Sequence, residues 1–166
     1  MEVNRETAHR RMPLIVSGIF LGLGLGGFVD GILLHQILQW HHMLSNVRPL
    51  KTDSNIDLNM AWDGLFHAFD WILTVIGIAL LWRAGSQEDV PWSPHTFVGS
   101  ILMGAGLFNF VEGLIDHQIL GIHHVKPGPH QLAWDLGFLL SGVLLIVVGW
   151  IMLQNSQDSS HVEMKH

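Results

Sequence analysis

Four long apolar stretches constrain the fold of this chain more than any other feature. Each can cross a hydrocarbon core about 30 Å thick as an α-helix that rises 1.5 Å per residue. Charged residues make up 13 % of the chain, against about 25 % in an average soluble domain. The sequence therefore predicts an all-α fold, a four-helix transmembrane bundle in a lipid bilayer. The stretches are Pro13–Trp40, Leu58–Trp82, Thr96–Leu120 and Gln131–Leu153.

The polar segments set the domain limits and the orientation. We expect one transmembrane domain, residues 13–154, between an N-terminal tail, 1–12, and a polar C-terminal tail, 155–166. Lysine and arginine favour the side of the termini, and the positive-inside rule then predicts both termini in the cytoplasm. That side has Arg5, Arg10, Arg11, Arg83 and Lys165, and the opposite side has Arg48, Lys51 and Lys126.

Composition excludes several classes of function. The net charge is -6 with histidine neutral, so a basic surface for nucleic acid is absent and no nucleic-acid partner is expected. The chain has no cysteine and no tyrosine, which excludes disulfides, thiolate metal ligands and phenolic acids. Histidine, by contrast, occurs 12 times.

The chain contains an internal repeat. Residues 24–42 align without a gap on residues 106–124, and Ala61-Trp-Asp63 recurs as Ala133-Trp-Asp135. We predict two parallel two-helix repeats, about 13–82 and 95–154, related by a pseudo-two-fold axis along the membrane normal. Small residues at four-residue spacing, Gly18 to Gly26 and Ser100 to Gly104, predict close helix packing.

Some ionisable residues have to lie inside the membrane, because the helices are otherwise too short. The apolar part of the second helix, Trp71–Trp82, spans only about 18 Å, so that helix has to bury Asp63, His67 and Asp70. The same argument buries Glu112 in the third helix. Such groups cost several kcal/mol in lipid unless they are paired, hydrated or metal-bound. We therefore expect them inside the bundle, in the half away from the termini.

Helical phase suggests which of these side chains share a face. At about 100° per residue, His35 and His42 lie on one face of the first helix, and Asp63, His67 and Asp70 lie on one face of the second. The fourth helix lacks the equivalents of His67 and Asp70. We therefore expect an asymmetric metal site centred near His67. Its candidate residues are His35, His67, His117, Asp30, Glu112, Asp63, Asp135, His42 and His124.

Histidine and carboxylate without thiolate suit copper(II), zinc or non-haem iron. The carboxylates can be ligands or can orient the imidazoles from a second layer. The expected function is metal binding for redox chemistry or metal handling, and catalysis is left open. His41 and His123 lie at the membrane edge, where contact with the site and exposure at the interface are equally good interpretations.

Two other functions use the same residues. Buried acids and imidazoles can form a proton or ion pathway without metal, although the cytoplasmic half has few polar residues. A b-type haem between His35 and His117 is a further alternative, which the nearby acids disfavour.

The sequence resembles a family of short bacterial four-span membrane proteins classed as a domain of unknown function. The resemblance covers about Pro13 to Leu153. It implies a bacterial inner membrane location, and it associates such proteins with cytochrome oxidase assembly factors, which favours copper over zinc or iron. A homo-oligomer or a respiratory or metal-handling membrane partner would fit that setting. The motifs that carry the resemblance are Gly27–Gln36, Gln39–His42, Asp63–His67 and Phe110–His117.

Overall fold

The computed structural model describes residues 2–163, with side chains described for residues 9–155. All regular structure in these residues is helical, which confirms the predicted all-α fold with four long helices. Two of the helices continue into a short π-helix at one end. The elements are α1 (Glu2–Asp30), π1 (Gly31–Ile37), α2 (Asp53–Gly85), α3 (Pro94–Glu112), π2 (Gly113–Ile119) and α4 (Gln131–Glu163).

The helix limits differ from the predicted spans at several ends. α1 begins at Glu2, so helix extends into the predicted N-terminal tail, and α4 extends into the predicted C-terminal tail. The first helical unit ends at Ile37, before the expected Trp40. Thr52 caps α2 by accepting a hydrogen bond from the Asn55 amide at 3.3 Å, as N-cap threonines do. Residues 164–166 lie outside the described residues.

The four helices form a row in the order α2, α1, α3, α4. α1 packs against α2 and α3, and α4 packs against α3, whereas α2 and α3 have no pair of Cα atoms within 8 Å in the described chain. The predicted small-residue ridges meet at the central pair. A Cβ on Gly22 would collide with the Ile101 carbonyl, and one on Gly104 with the Ile19 carbonyl. Glycine is therefore required where α1 and α3 cross.

Burial is inverted relative to a soluble protein. Large apolar side chains cover the outside, such as Trp82 at 79 % exposure and Leu140 at 57 %, while many charged and polar groups are buried. A water-facing protein would reverse this distribution. Each of the four helices also has an 18-residue apolar window. The chain is thus a multi-pass membrane protein. Its candidate spans are His9–Ile37, Asp53–Gly85, Pro94–Ile119 and Gln131–Asn155.

Each π-helix is followed by a reversal that returns the chain toward the bundle. Gln39 and Gly121 occupy aligned positions, and both have positive φ, 50° and 56°. The left-handed region costs glycine little, but it is uncommon for a residue such as glutamine. A hydrogen bond connects the loops that follow the two reversals, in which the Asn46 amide donates to the Ile122 carbonyl at 3.0 Å. These loops close the end of the bundle that holds the polar residues.

Candidate metal centre

The π-helices bring an acid and a histidine together in each half. His35 Nε2 lies 3.2 Å from Asp30 Oδ2, and His117 Nε2 lies 3.1 Å from Glu112 Oε1. Both pairs are five residues apart. In an α-helix that spacing separates side chains by about 140° around the axis, whereas π-helical backbone bonds from residue i to i+5 bring the two closer. The π-helices therefore supply the geometry that the sequence spacing lacks.

The reversals place a second histidine of each half against the first. His41 and His123 stack with their ring centroids 4.7 Å apart and their planes 6° from parallel. His41 Nδ1 donates to the Val125 carbonyl at 2.8 Å, and His123 Nδ1 donates to the Met43 carbonyl at 3.0 Å. Each ring is thus oriented by a carbonyl of the opposite half.

In the first half, Asp63 fixes both the ring of His35 and the loop. Its Oδ1 accepts from His35 Nδ1 at 3.1 Å and from the Met43 amide at 2.9 Å. Its Oδ2 accepts from His42 Nδ1 at 2.6 Å. Asp63 is 1 % exposed. This carboxylate lies behind the imidazole and sets its orientation, in the manner of carboxylates behind metal-bound histidines.

Asp135 has the corresponding role in the second half, with one weaker contact. Its Oδ2 accepts from His124 Nδ1 at 2.8 Å, and its Oδ1 accepts from the Val125 amide at 2.9 Å. His117 Nδ1, however, lies 3.8 Å from Oδ1, beyond a hydrogen bond. The ring of His117 is therefore held less firmly than that of His35.

Several polar atoms at the centre lack partners although they are buried. A carbonyl oxygen can only accept, so His41 and His123 carry their proton on Nδ1 and expose an unprotonated Nε2 toward the centre. Burial and the neighbouring histidines lower the pKa of His41 to about 2, which keeps its ring neutral, the form that binds metals. The buried atoms without a hydrogen-bond partner include His35 Nε2, His41 Nε2, His117 Nε2, Glu112 Oε2 and both carboxylate oxygens of Asp30.

A bound cation would give these buried acceptor atoms a partner. His123 Nε2 lies 2.8 Å from Glu112 Oε1, and two acceptor atoms approach so closely only with a proton or a metal ion between them. In the described residues, two groups have ligand atoms within 4.8 Å of one another, and they share His123. Ligands about 2.1 Å from one ion lie at most about 4.2 Å apart, so binding needs only a small contraction. The groups are His35, His41 and His123, and Glu112, His117 and His123.

The predicted residues are brought together with one exception. Six of them form two triads at the centre, Asp30–His35–Asp63 and Glu112–His117–Asp135. His42 and His124 bind the outer oxygens of Asp63 and Asp135 and belong to neither ligand group. His67 lies apart, stacked on Phe28 with ring centroids 6.0 Å apart.

His41 and His123 are the central residues that sequence reasoning did not select. They are 2 % and 0 % exposed, rather than open at the interface. The available signal was the His-His doublet, which recurs at aligned positions as 41–42 and 123–124. Their rings also contact both His35 and His117, filling the space in which a haem between those two would lie.

These features define a class, a four-helix membrane protein with a buried histidine and carboxylate cluster at one end of its bundle. The chain belongs to the family described as predicted membrane protein (DUF2243), whose model matches residues 17–156. No curated protein and no solved structure matches the chain.

Proposed function

We propose that this protein binds a transition-metal centre at the looped end of its bundle and uses it for redox chemistry or metal handling. One observation supports this most strongly. Imidazole Nε2 atoms and two carboxylates converge in a buried space, and the four rings present their Nε2 toward it. The imidazole N–H groups of His35, His41 and His123 are held from behind by acceptors. Buried acceptors without donors cost free energy that metal binding would recover.

The ligand set indicates which metals fit. Imidazole with carboxylate suits copper(II), zinc and non-haem iron, and the link to cytochrome oxidase assembly suggested by resemblance favours copper. Pairs of metal ions in helical bundles are commonly held by inward-facing histidine and carboxylate. The presence of an acid and two histidines in each half favours two neighbouring ions, with Asp63 and Asp135 orienting the ligands.

Elemental analysis tests the proposal. Protein purified without a histidine tag and reconstituted with copper, zinc or iron should hold about two ions per chain. A His41→Ala/His123→Ala variant should lose them, while His9→Ala/His95→Ala, which changes two exposed histidines, should keep them. Equal metal contents in the two variants would contradict the site, and a Soret band would indicate haem instead.

The orientation belongs to the same proposal. A bacterial inner membrane with both termini in the cytoplasm would place the centre on the extracytoplasmic side, as the distribution of lysine and arginine supports. The chain has no cysteine, so single variants Lys51→Cys and Glu88→Cys give clean labels on opposite loops. An impermeant maleimide added to intact cells should label position 51 and not position 88. The reverse pattern would invert the orientation.

A second candidate function is proton transfer without metal, and Asp70 is the observation that favours it. Its side chain is fully buried, neither carboxylate oxygen has a hydrogen-bond partner, and His67 Nδ1 lies 4.0 Å from Oδ2. Buried ionisable groups in membrane helices commonly mark proton relays. Metal-free liposomes with the protein should then show proton flux that Asp70→Asn abolishes. Flux equal to that of empty liposomes would exclude this function.

A further inference from the structure

A groove of about 370 Å³ lies between α2 and α3, at the depth of the membrane. It exists because the backbones of these helices have no pair of Cα atoms within 8 Å in the described residues, and Leu23 of α1 lines the space between them. Its volume is within the range of small-molecule sites. The walls are almost entirely apolar and include three aromatic rings, Phe66, Phe69 and Phe108. Since Phe69 and Leu107 are 55 % and 40 % exposed, the groove opens sideways toward the lipid.

One end of the groove is acidic and reaches the metal centre. Glu112 lines it, is 8 % exposed, and has an Oε2 atom without a hydrogen-bond partner. Asp116 lines it too, and within the described part of the chain its carboxylate accepts no hydrogen bond. An aspartate without donors, facing an apolar groove in a membrane, is costly. In the first half the aligned position is Leu34, so the helical repeat itself does not require this acid.

We propose that the groove binds a membrane-soluble hydroquinone. Its planar ring would lie among Phe66, Phe69 and Phe108, its hydroxyl would donate to the acidic end, and its apolar tail would extend into the lipid. Aromatic walls favour an aromatic guest, and carboxylate oxygens accept strongly from a hydroxyl. Assigning this molecule as the substrate rests on the proposed metal function, whereas its binding does not require metal.

The charge of the groove distinguishes this guest from the lipids around it. Fatty acids and anionic phospholipids carry net negative charge, which Glu112 and Asp116 would repel. A long-chain alcohol has the hydroxyl donor but no ring. A hydroquinone ether has the ring but no donor. The ring and the hydroxyl can therefore be tested separately.

Native mass spectrometry of the detergent-solubilised protein, as purified and after metal removal, can compare decylhydroquinone, its dimethyl ether and dodecanol under anaerobic conditions. Decylhydroquinone should bind at least about tenfold more tightly than either, because loss of a charge-assisted hydrogen bond or of aromatic packing has that size. Asp116→Leu should remove its advantage over the ether. Val111→Trp, which fills the groove, should abolish binding, while the aligned and more exposed Val29→Trp should not.

The outcomes separate this proposal from the metal site. Binding that needs the hydroxyl, the ring and an open groove supports it, even in a protein that holds no metal. Equal affinity for the dimethyl ether or for dodecanol would show a general lipid groove and overturn it. Unchanged binding by Val111→Trp would also overturn it, because the probe would then lie elsewhere.

Discussion

The two halves of the molecule build the same polar centre but differ beside it. In each half a π-helix pairs an acid with a histidine, a reversal with positive φ brings in a second histidine, and an aspartate lies behind the first histidine. Next to the centre, the first half adds His67 and Asp70, where the second has Leu139 and Gly142. The second half adds Asp116, where the first has Leu34.

This difference distinguishes the residues that form the centre from the residues that lie beside it. Contacts made twice, once in each half, are those that position ligand atoms. The acids present in one half only lie on opposite flanks, Asp70 in the packed interface of α1 with α2 and Asp116 in the groove between α2 and α3. The residues found in both halves therefore suit metal binding. The residues found in only one half suit a function on one side of the centre, such as uptake of a proton or a substrate.

The largest expected effect distinguishes the two stacked histidines. His123 belongs to both ligand groups, and His41 belongs to one. His123→Ala should lower the metal content further than His41→Ala, because it removes a ligand whichever of the two groups holds an ion, and binding requires a full ligand set. Elemental analysis after reconstitution measures both. Equal losses would mean that the halves share one ion symmetrically.

A smaller effect is expected at the orienting aspartates. Asp63→Asn and Asp135→Asn should each weaken metal binding about 10- to 100-fold, as loss of outer carboxylates commonly does. The loss should be greater for Asp63, because it is hydrogen-bonded to His35 at 3.1 Å, whereas Asp135 is 3.8 Å from His117. Competition with a chelator of known affinity gives the ratio. A greater loss at Asp135 would contradict the observed asymmetry.

The smallest effect is expected where the halves already differ. His67→Leu gives the first half the residue of the second, and it should leave the metal content unchanged, because His67 is in neither ligand group. Elemental analysis beside wild-type protein checks this. Clear loss of metal would place His67 in the centre, as the sequence first suggested.

The membrane fold could be predicted from the sequence because apolar length is a local property. The spans needed only a count of residues against bilayer thickness, and the small residues at Gly22 and Gly104 indicated where helices pack closely. The buried acids followed from the same arithmetic, since α2 cannot cross the membrane without Asp63 and Asp70.

The geometry of the centre could not be predicted in the same way. The phase argument assumed about 100° per residue, but π1 changes the phase after Asp30, and the helical unit ends at Ile37. His42 therefore does not share a helix face with His35. The inward turn of His41 depends on a left-handed residue at Gln39 and on a carbonyl 84 residues away. Helical periodicity carries no information about contacts between residues so far apart in the sequence.

The hydrogen bonds of the stacked histidines run from each half to the other, so the centre requires both halves. The Nδ1 of each ring donates to a backbone carbonyl that only the opposite half supplies, so one helix pair alone would lack the acceptor that fixes the proton of its stacked imidazole on Nδ1. The smallest unit able to assemble the centre is a pair of helix hairpins, whether tethered by residues 86–93 or associated as separate chains. Cutting that tether should leave a protein that reassembles from two pieces, neither of which suffices.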